Sequence, residues 1–357
     1  GYSYQFQNFG KTSNRGIELS LNFDVINKGD FRFNIGAIYN YNRNKLDELP
    51  NADQYLYSSY WGSSSLVPTN DYMFVEGKAI GLVRGFVSEG FYTVNDFRYE
   101  NGQYILKEGI PDITKALTAT YMHPFNIPNG QTAFPGAAKF RDVNNSGTVD
   151  LDDATCLGEV MPRHTGSFQL NFNYKNFDLS SNFNWTAGGK VYNVAAMINA
   201  SGQEFDGIGA QRTSWVADTY KVYNVNSSGD LYAVTDPNEL NALNANAKYH
   251  LPYHQSGITS SEWLEDGSYL RLQTLTLGYT LPHTVLNKIH IEKLRIYLTA
   301  TNLFTITGYS GIDPEVNATP TGQSGFYSNL RVFPTLNMDF GTYPRARTFT
   351  LGANITF

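Results

Sequence analysis

The chain has 357 residues, a net charge of -6, only 16% charged residues and 15% aromatics, with 25 Tyr and 23 Phe. Mean hydropathy is -0.35, so the polarity comes from uncharged Asn, Ser, Thr and Gly. That excludes a helix bundle, a coiled coil and a charge-rich disordered tail, and leaves an all-β protein in water or in a membrane.

The absence of any basic block gives no electrostatic footprint for nucleic acid. The single Cys156 excludes a disulfide framework and a Cys-based zinc site. No stretch reaches the roughly 18 consecutive apolar residues of a membrane helix. The chain opens at Gly1-Tyr2-Ser3-Tyr4, without an initiator Met or signal peptide, as a processed or partial chain would.

Strict period-2 alternation begins at Ile17, Leu19, Leu21, Phe23 and Val25, with Glu18, Ser20, Asn22 and Asp24 between them. After Asn27-Lys28-Gly29-Asp30 it resumes with Phe31, Phe33, Ile35, Ala37, Tyr39 and Tyr41. Pattern and turn chemistry together predict a β-hairpin. A long stretch, 44–165, follows, carrying aromatic clusters at Tyr55, Tyr57, Tyr60 and Trp61 and at Phe86, Phe91 and Tyr92.

Within it, Asp142 to Asp153 has the spacing of a calcium-type loop. Oxygen ligands fall at Asp142, Asn144, Ser146 and Asp150, positions 1, 3, 5 and 9, with Gly147 at the sharp turn. Thr148 would lend its carbonyl, and Asp153 holds the twelfth place, where Glu is usual. A structural Ca²⁺ is the expected ion, bound weakly; an Asx-rich turn capping its own backbone is the competing reading.

Alternation returns at Phe168, Leu170, Phe172 and Tyr174. It crosses the tight turn Lys175-Asn176 and continues through Phe177, Leu179, Phe183 and Trp185. A third pair runs Tyr269 to Thr280 and Leu294 to Asn302, and Arg347 to Phe357 closes the series. Seven long strands are predicted. The connections are short turns on one side and the long stretches 44–165, 187–267 and 303–345 on the other. Outer-membrane barrels have this asymmetry. Parity requires any further spanning strands in 44–165 to come in pairs, with 79–94 and 103–107 the best place for one. Tyr39, Tyr41, Tyr174, Phe177, Trp185, Tyr269, Tyr279 and Phe357 lie toward strand ends, where an aromatic girdle would sit.

No catalytic constellation emerges. His250 and His254 are spaced i, i+4 but flank Pro252, so a zinc-binding helix is implausible. Loop carboxylates such as Glu262, Glu265 and Asp266 form no dyad by spacing. Aromatic rings on Asn-rich loops suit a sugar- or peptide-binding surface, for which Tyr57, Tyr60, Trp61, Phe326 and Tyr327 are the candidates. Packing of loop on loop would use the same residues.

Several segments resemble SusC/RagA-type TonB-linked (TonB-dependent) outer-membrane transporters. They are Trp263-Leu-Glu-Asp266-Gly267-Ser-Tyr269-Leu-Arg271 to Pro282, Leu294 to Thr305, and Tyr309-Ser-Gly-Ile-Asp313-Pro314-Glu315. Tyr343-Pro344-Arg-Ala-Arg347 to the terminal Phe357, Asn14 to Leu19, and Lys139 through Asp153 fit as well. The resemblance implies that residues 1–357 are the C-terminal part of a transmembrane antiparallel β-barrel. About seven to nine strands of 22 would lie here, with long extracellular loops and 139–158 as a calcium-type insertion.

It also implies a multi-pass barrel in the outer membrane of a Gram-negative bacterium, importing glycan or peptide oligomers rather than catalysing a reaction. The implied partners are a SusD-like lipoprotein lid, the remaining barrel and plug segment, outer-membrane lipid, and a TonB complex reached through the N-terminal part missing here. A soluble extracellular calcium-dependent glycan-binding β module and a passive porin are the competing functions.

Overall fold

The computed structural model describes residues 10–50, 53–58, 66–118, 123–201, 217–251, 257–286, 291–316, 336–339 and 341–357. Seven strands form one sheet: β1 (Lys11–Lys28), β2 (Phe31–Glu48), β3 (His164–Tyr174), β4 (Phe177–Ala187), β5 (Tyr269–Thr280), β6 (Lys293–Thr307) and β7 (Thr348–Thr356). They stand in chain order, each antiparallel to the next. These are the seven strands expected from the alternation. Gly29 takes a left-handed φ of 58° in the first turn and Lys175 one of 50° in the second, as two-residue hairpins require.

Directly opposed residues share a face, so the register carries the alternation across the sheet. Leu19 opposes Tyr39, Ala37 opposes Phe168, and Phe168 opposes Phe183. Leu179 opposes Leu277, Leu277 opposes Leu298, and Leu298 opposes Leu351. One face is therefore apolar from the first strand to the last. The other carries Ser20, Asn40, Gln169, Asn182, Thr274, Thr299 and Thr350.

The apolar face is uncovered: Ile17 is 65% exposed, Phe349 64% and Leu351 76%. Seven strands at about 4.8 Å spacing and a band about 25 Å tall give roughly 800 Å². That exceeds the few hundred Å² a soluble monomer usually exposes.

Aromatic side chains border this face at both ends. Toward the short turns, Phe31 meets Tyr174 at 6.4 Å and Phe177 meets Tyr279 at 4.6 Å. Toward the long loops, Tyr39 stacks on Trp185 at 6.1 Å, and its hydroxyl hydrogen-bonds His164 Nδ1 at 2.9 Å. Eight to ten residues separate the two bands along β2. At about 3.3 Å per residue and a strand tilt near 40°, that is roughly 20–25 Å of height, the thickness of a barrel's apolar band. Tyr269 departs from the expected girdle. It opposes Thr186 and Thr307 on the polar face, because a bulge between Leu272 and Thr274 shifts the parity of β5.

The hydrophobic cores lie in the long connections. One gathers Phe86, Tyr92, Phe97, Tyr104, Phe125 and Phe140 with Tyr220, Val234 and Leu240. A second gathers Leu46, Tyr57, Tyr72, Val83, Tyr192, Trp263 and Met338. Short strands frame them. Leu82–Gly85 lies between Tyr72–Val75 and Thr155–Glu159, and Lys190–Asn193 between Leu264–Asp266 and Met338–Asp339. The expected spanning pair at 79–94 and 103–107 is corrected here: Gln103–Leu106 pairs with Phe97–Glu100, not with the large sheet. Among the described residues the loop body supplies no strand to that sheet.

Candidate functional site

The loop body meets the sheet through a buried charge cluster. Arg271 on the polar face of β5 is 2% exposed and opposes Thr305 of β6, to whose hydroxyl its Nε donates at 2.9 Å. Its two terminal nitrogens fork onto Asp313 Oδ1 at 2.6 Å and Glu315 Oε2 at 2.7 Å. Arg345 closes the cluster on Glu315 at 2.8 Å and Asp313 at 3.7 Å. Two cations face two anions, so the buried Arg271 is fully compensated, which is the condition for such burial to persist. The motifs at 263–282, 309–315 and 343–347, dispersed in sequence, thus converge on one latch at the mouth of the sheet.

At the opposite end of the polar face, Arg295 donates to both oxygens of Asp178, at 2.9 and 2.5 Å. It also stands 5.0 Å over the Tyr297 ring, which covers Gly352 on the neighbouring strand. Between the two clusters the face is mostly uncharged Asn, Ser and Thr, such as the Thr276–Thr299 hydroxyl pair at 2.9 Å. Such a surface offers hydrogen-bond donors and acceptors with little net charge.

Of the expected substrate-binding aromatics, Tyr57 is core. It is 4% exposed, stacked 4.7 Å from Phe74 and 5.6 Å from Tyr72. Tyr60, Trp61, Phe326 and Tyr327 lie outside the described residues. Phe86 and Tyr92 are also fully buried. The phenols in these cores satisfy their hydroxyls internally: Tyr92 donates to Pro111 O at 2.6 Å, Tyr104 to Thr235 O at 2.8 Å, and Tyr192 pairs with Thr259 at 2.7 Å. Burial pushes the hydroxyls of Tyr72 and Tyr192 well above the usual phenol range. These aromatics are structural, and the competing reading of loop-on-loop packing describes them.

The loop from Asp142 to Asp153 closes on its own amides. Asp142 accepts from Ser146 N at 3.1 Å and Gly147 N at 2.7 Å, and Asn144 Oδ1 from Ser146 N at 2.8 Å. Ser146 Oγ donates to the Thr148 carbonyl at 2.8 Å, and Asp150 accepts from Asp152 N at 2.8 Å. Asp153 is fully buried and turns Oδ1 to the amides of Val143 and Asn144 and Oδ2 to that of Asp150. Gly147 makes the sharp turn at φ 86°. The oxygens at positions 1, 3, 5 and 7 are the hard donors Ca²⁺ takes, whereas the twelfth is occupied as a clasp joining the ends of the loop. Among the described residues, no three or more His, Cys, Asp and Glu side chains gather as a metal-binding cluster.

His250 is buried, with Nε2 3.7 Å from Glu262, whose carboxyl burial pushes up.

An antiparallel sheet with one bare apolar face, aromatic borders at membrane spacing and a polar reverse face has the architecture of a segment of transmembrane β-barrel wall. The chain is similar over its whole length to TonB-linked transporters of the SusC/RagA type, as its motifs indicated. It is 28% identical to TonB-dependent receptor P3 of Formosa agariphila, with all of this chain aligned to 30% of that protein. It is 24% identical to TonB-dependent receptor SusC of Bacteroides thetaiotaomicron, with 98% of this chain aligned to 27% of that protein. Among solved structures, the RagAB peptide transporter superposes on 99% of the chain and 30% of its own, with a TM-score of 0.62 at 19% identity. No family model matches the chain. The chain therefore spans about 30% of the length of such relatives.

Proposed function

We propose that this chain is the C-terminal part of the barrel of an outer-membrane importer of oligomeric nutrients, glycan or peptide. The uncovered apolar face between two aromatic bands carries the proposal. In water that surface would drive association, whereas in a bilayer it is solvated by acyl chains. The edges of β1 and β7 extend it, since lipid does not tolerate unpaired strand edges and the rest of the barrel must continue from both. The names of the relatives, TonB-dependent receptors and a peptide transporter, support energisation through TonB, and the SusC/RagA resemblance suggests a SusD-like surface lipoprotein as lid. In this reading the polar face and loop body line the substrate vault, and the Arg271 latch holds the loop body to the barrel mouth.

The alternative of a soluble calcium-dependent glycan-binding module requires the apolar face to be covered, and the loop body does not cover it. The loop 139–158 fits a structural role in the vault wall, with Ca²⁺ as a supplementary clip on Asp142, Asn144, Ser146 and the Thr148 carbonyl. Fractionation of the intact protein with the outer membrane and heat-modifiable migration in detergent test the barrel. A stable detergent-free monomer would overturn it. Uptake of glycan and peptide oligomers with and without the TonB partner then identifies the substrate class and separates an importer from a passive porin.

A further inference from the structure

We propose that Arg15 and Arg43 form a binding site for the phosphate of an anionic lipid headgroup in the outer leaflet. The inference rests on the outer-membrane reading above. The two arginines are directly opposed across the β1–β2 hairpin, two pairs beyond Ile17 and Tyr41 on the side of the long loops. Two residues along a strand preserve the face, so both project from the lipid-facing side, about 5 Å in height beyond the outer aromatic band of Tyr39, Tyr41, His164 and Trp185 at a strand tilt near 40°. That is the depth at which headgroup phosphates lie above an apolar band.

Both side chains are exposed. Three other cations near this end of the hairpin have acid partners: Lys45 has Asp47, Lys11 has Glu48, and Arg163 has Glu159 at 2.6 Å. Among the described residues Arg15 and Arg43 have none, and Glu18 lies on the opposite face of β1. Like charges directly opposed on a sheet repel. A phosphate held between two guanidinium forks turns that repulsion into charge-assisted, bidentate contacts. The tyrosines and His164 just below complete an interfacial environment in which the acyl part of the same lipid meets the apolar face. The occupant is therefore a phosphorylated amphiphile of the bilayer rather than a soluble anion.

The test uses the full-length transporter and phosphatidylcholine vesicles or micelles with and without phosphatidic acid. The readout is lipid binding by native mass spectrometry and by the shift in melting temperature. Phosphatidic acid should bind and raise the melting temperature of the natural protein. The double variant Arg15→Gln/Arg43→Gln should bind at least roughly tenfold more weakly, on the scale of one lost charge-assisted contact or more. Arg15→Lys/Arg43→Lys should retain part of the affinity.

Heat-modifiable migration of each variant confirms that the barrel has folded. Equal binding by natural protein and folded Gln variant would overturn the inference, as would inorganic phosphate binding as tightly as the lipid. Failure of the protein to fractionate with the outer membrane would instead overturn the underlying reading. A variant that inserts normally but loses the lipid leaves that reading intact.

Discussion

The sheet and the loop body spend their hydrophobic residues in opposite ways. In the loop body, Phe86, Tyr92, Tyr192 and Met338 are fully buried against residues from distant parts of the chain. In the sheet, residues just as apolar, Leu21, Phe23, Leu298 and Leu351, are exposed. One region is held by its own core, as a soluble protein is. The other awaits a solvent that welcomes apolar side chains, and its internal stability comes from ladder hydrogen bonds and cross-strand pairs such as Phe33 on Phe172 at 4.1 Å. Substitutions of similar chemistry should therefore act differently in the two regions.

The largest effects belong where the regions join and inside the loop body. Arg271→Ala leaves Asp313 and part of Glu315 uncompensated at a buried site and should cost about 3–5 kcal/mol. Hydrogen exchange should show 303–316 loosening while β1 to β4 stay protected. Phe86→Ala should cost a similar ~3–5 kcal/mol through the cavity it opens, visible as a lower melting temperature of the loop body in detergent.

On the sheet, Leu298→Arg at mid-band should cost about 2–4 kcal/mol in a bilayer. Thr350→Arg on the reverse face should stay within about 1 kcal/mol. Urea titration of the full protein in vesicles compares them, and equal costs would remove the distinction between lipid and lumen faces.

Asp153→Ala frees the amides of Val143, Asn144 and Asp150 and should cost about 1–3 kcal/mol, local to 139–158. Asp142→Ala should loosen the same loop and lower its calcium content by elemental analysis, without altering the strands. The smallest effect is expected at Lys11→Ala, whose exposed pairing with Glu48 at 3.4 Å should contribute less than about 1 kcal/mol in a denaturation midpoint.

The same contrast explains what could be read from the sequence. A sheet facing two solvents writes its structure locally, because each strand must alternate on its own. All seven strands, their order of turns and most of the girdle were accordingly legible. The exception was Tyr269, where the one-residue bulge near Gln273 reverses the face and no local signal marks it. The loop body writes its structure across distance. Tyr192-Asn193 pairs in parallel with Met338-Asp339, and Leu66-Val67 with Gly257-Ile258, in runs too short to show any period.

Tyr57 consequently stood as a candidate ligand-facing aromatic, with loop packing as the equal alternative, although it is core. The latch was half legible: its segments stood out as family motifs, but only the fold shows that Arg271, Asp313, Glu315 and Arg345 meet. Arg15 stood inside the family-like segment Asn14 to Leu19 and Arg43 in no motif, and their pairing appears only once register places them face to face.

Site-directed spin labelling of the full transporter in a bilayer, on a Cys156→Ser background, tests the two-faced sheet most directly. Single cysteines at Leu19, Phe168, Leu298 and Phe349 should report high oxygen and low aqueous-relaxant accessibility. Those at Ser20, Gln169, Thr299 and Thr350 should report the reverse, alternating residue by residue along each strand. Uniform aqueous accessibility at both sets, with no alternation, would contradict the assignment of this sheet to a membrane wall.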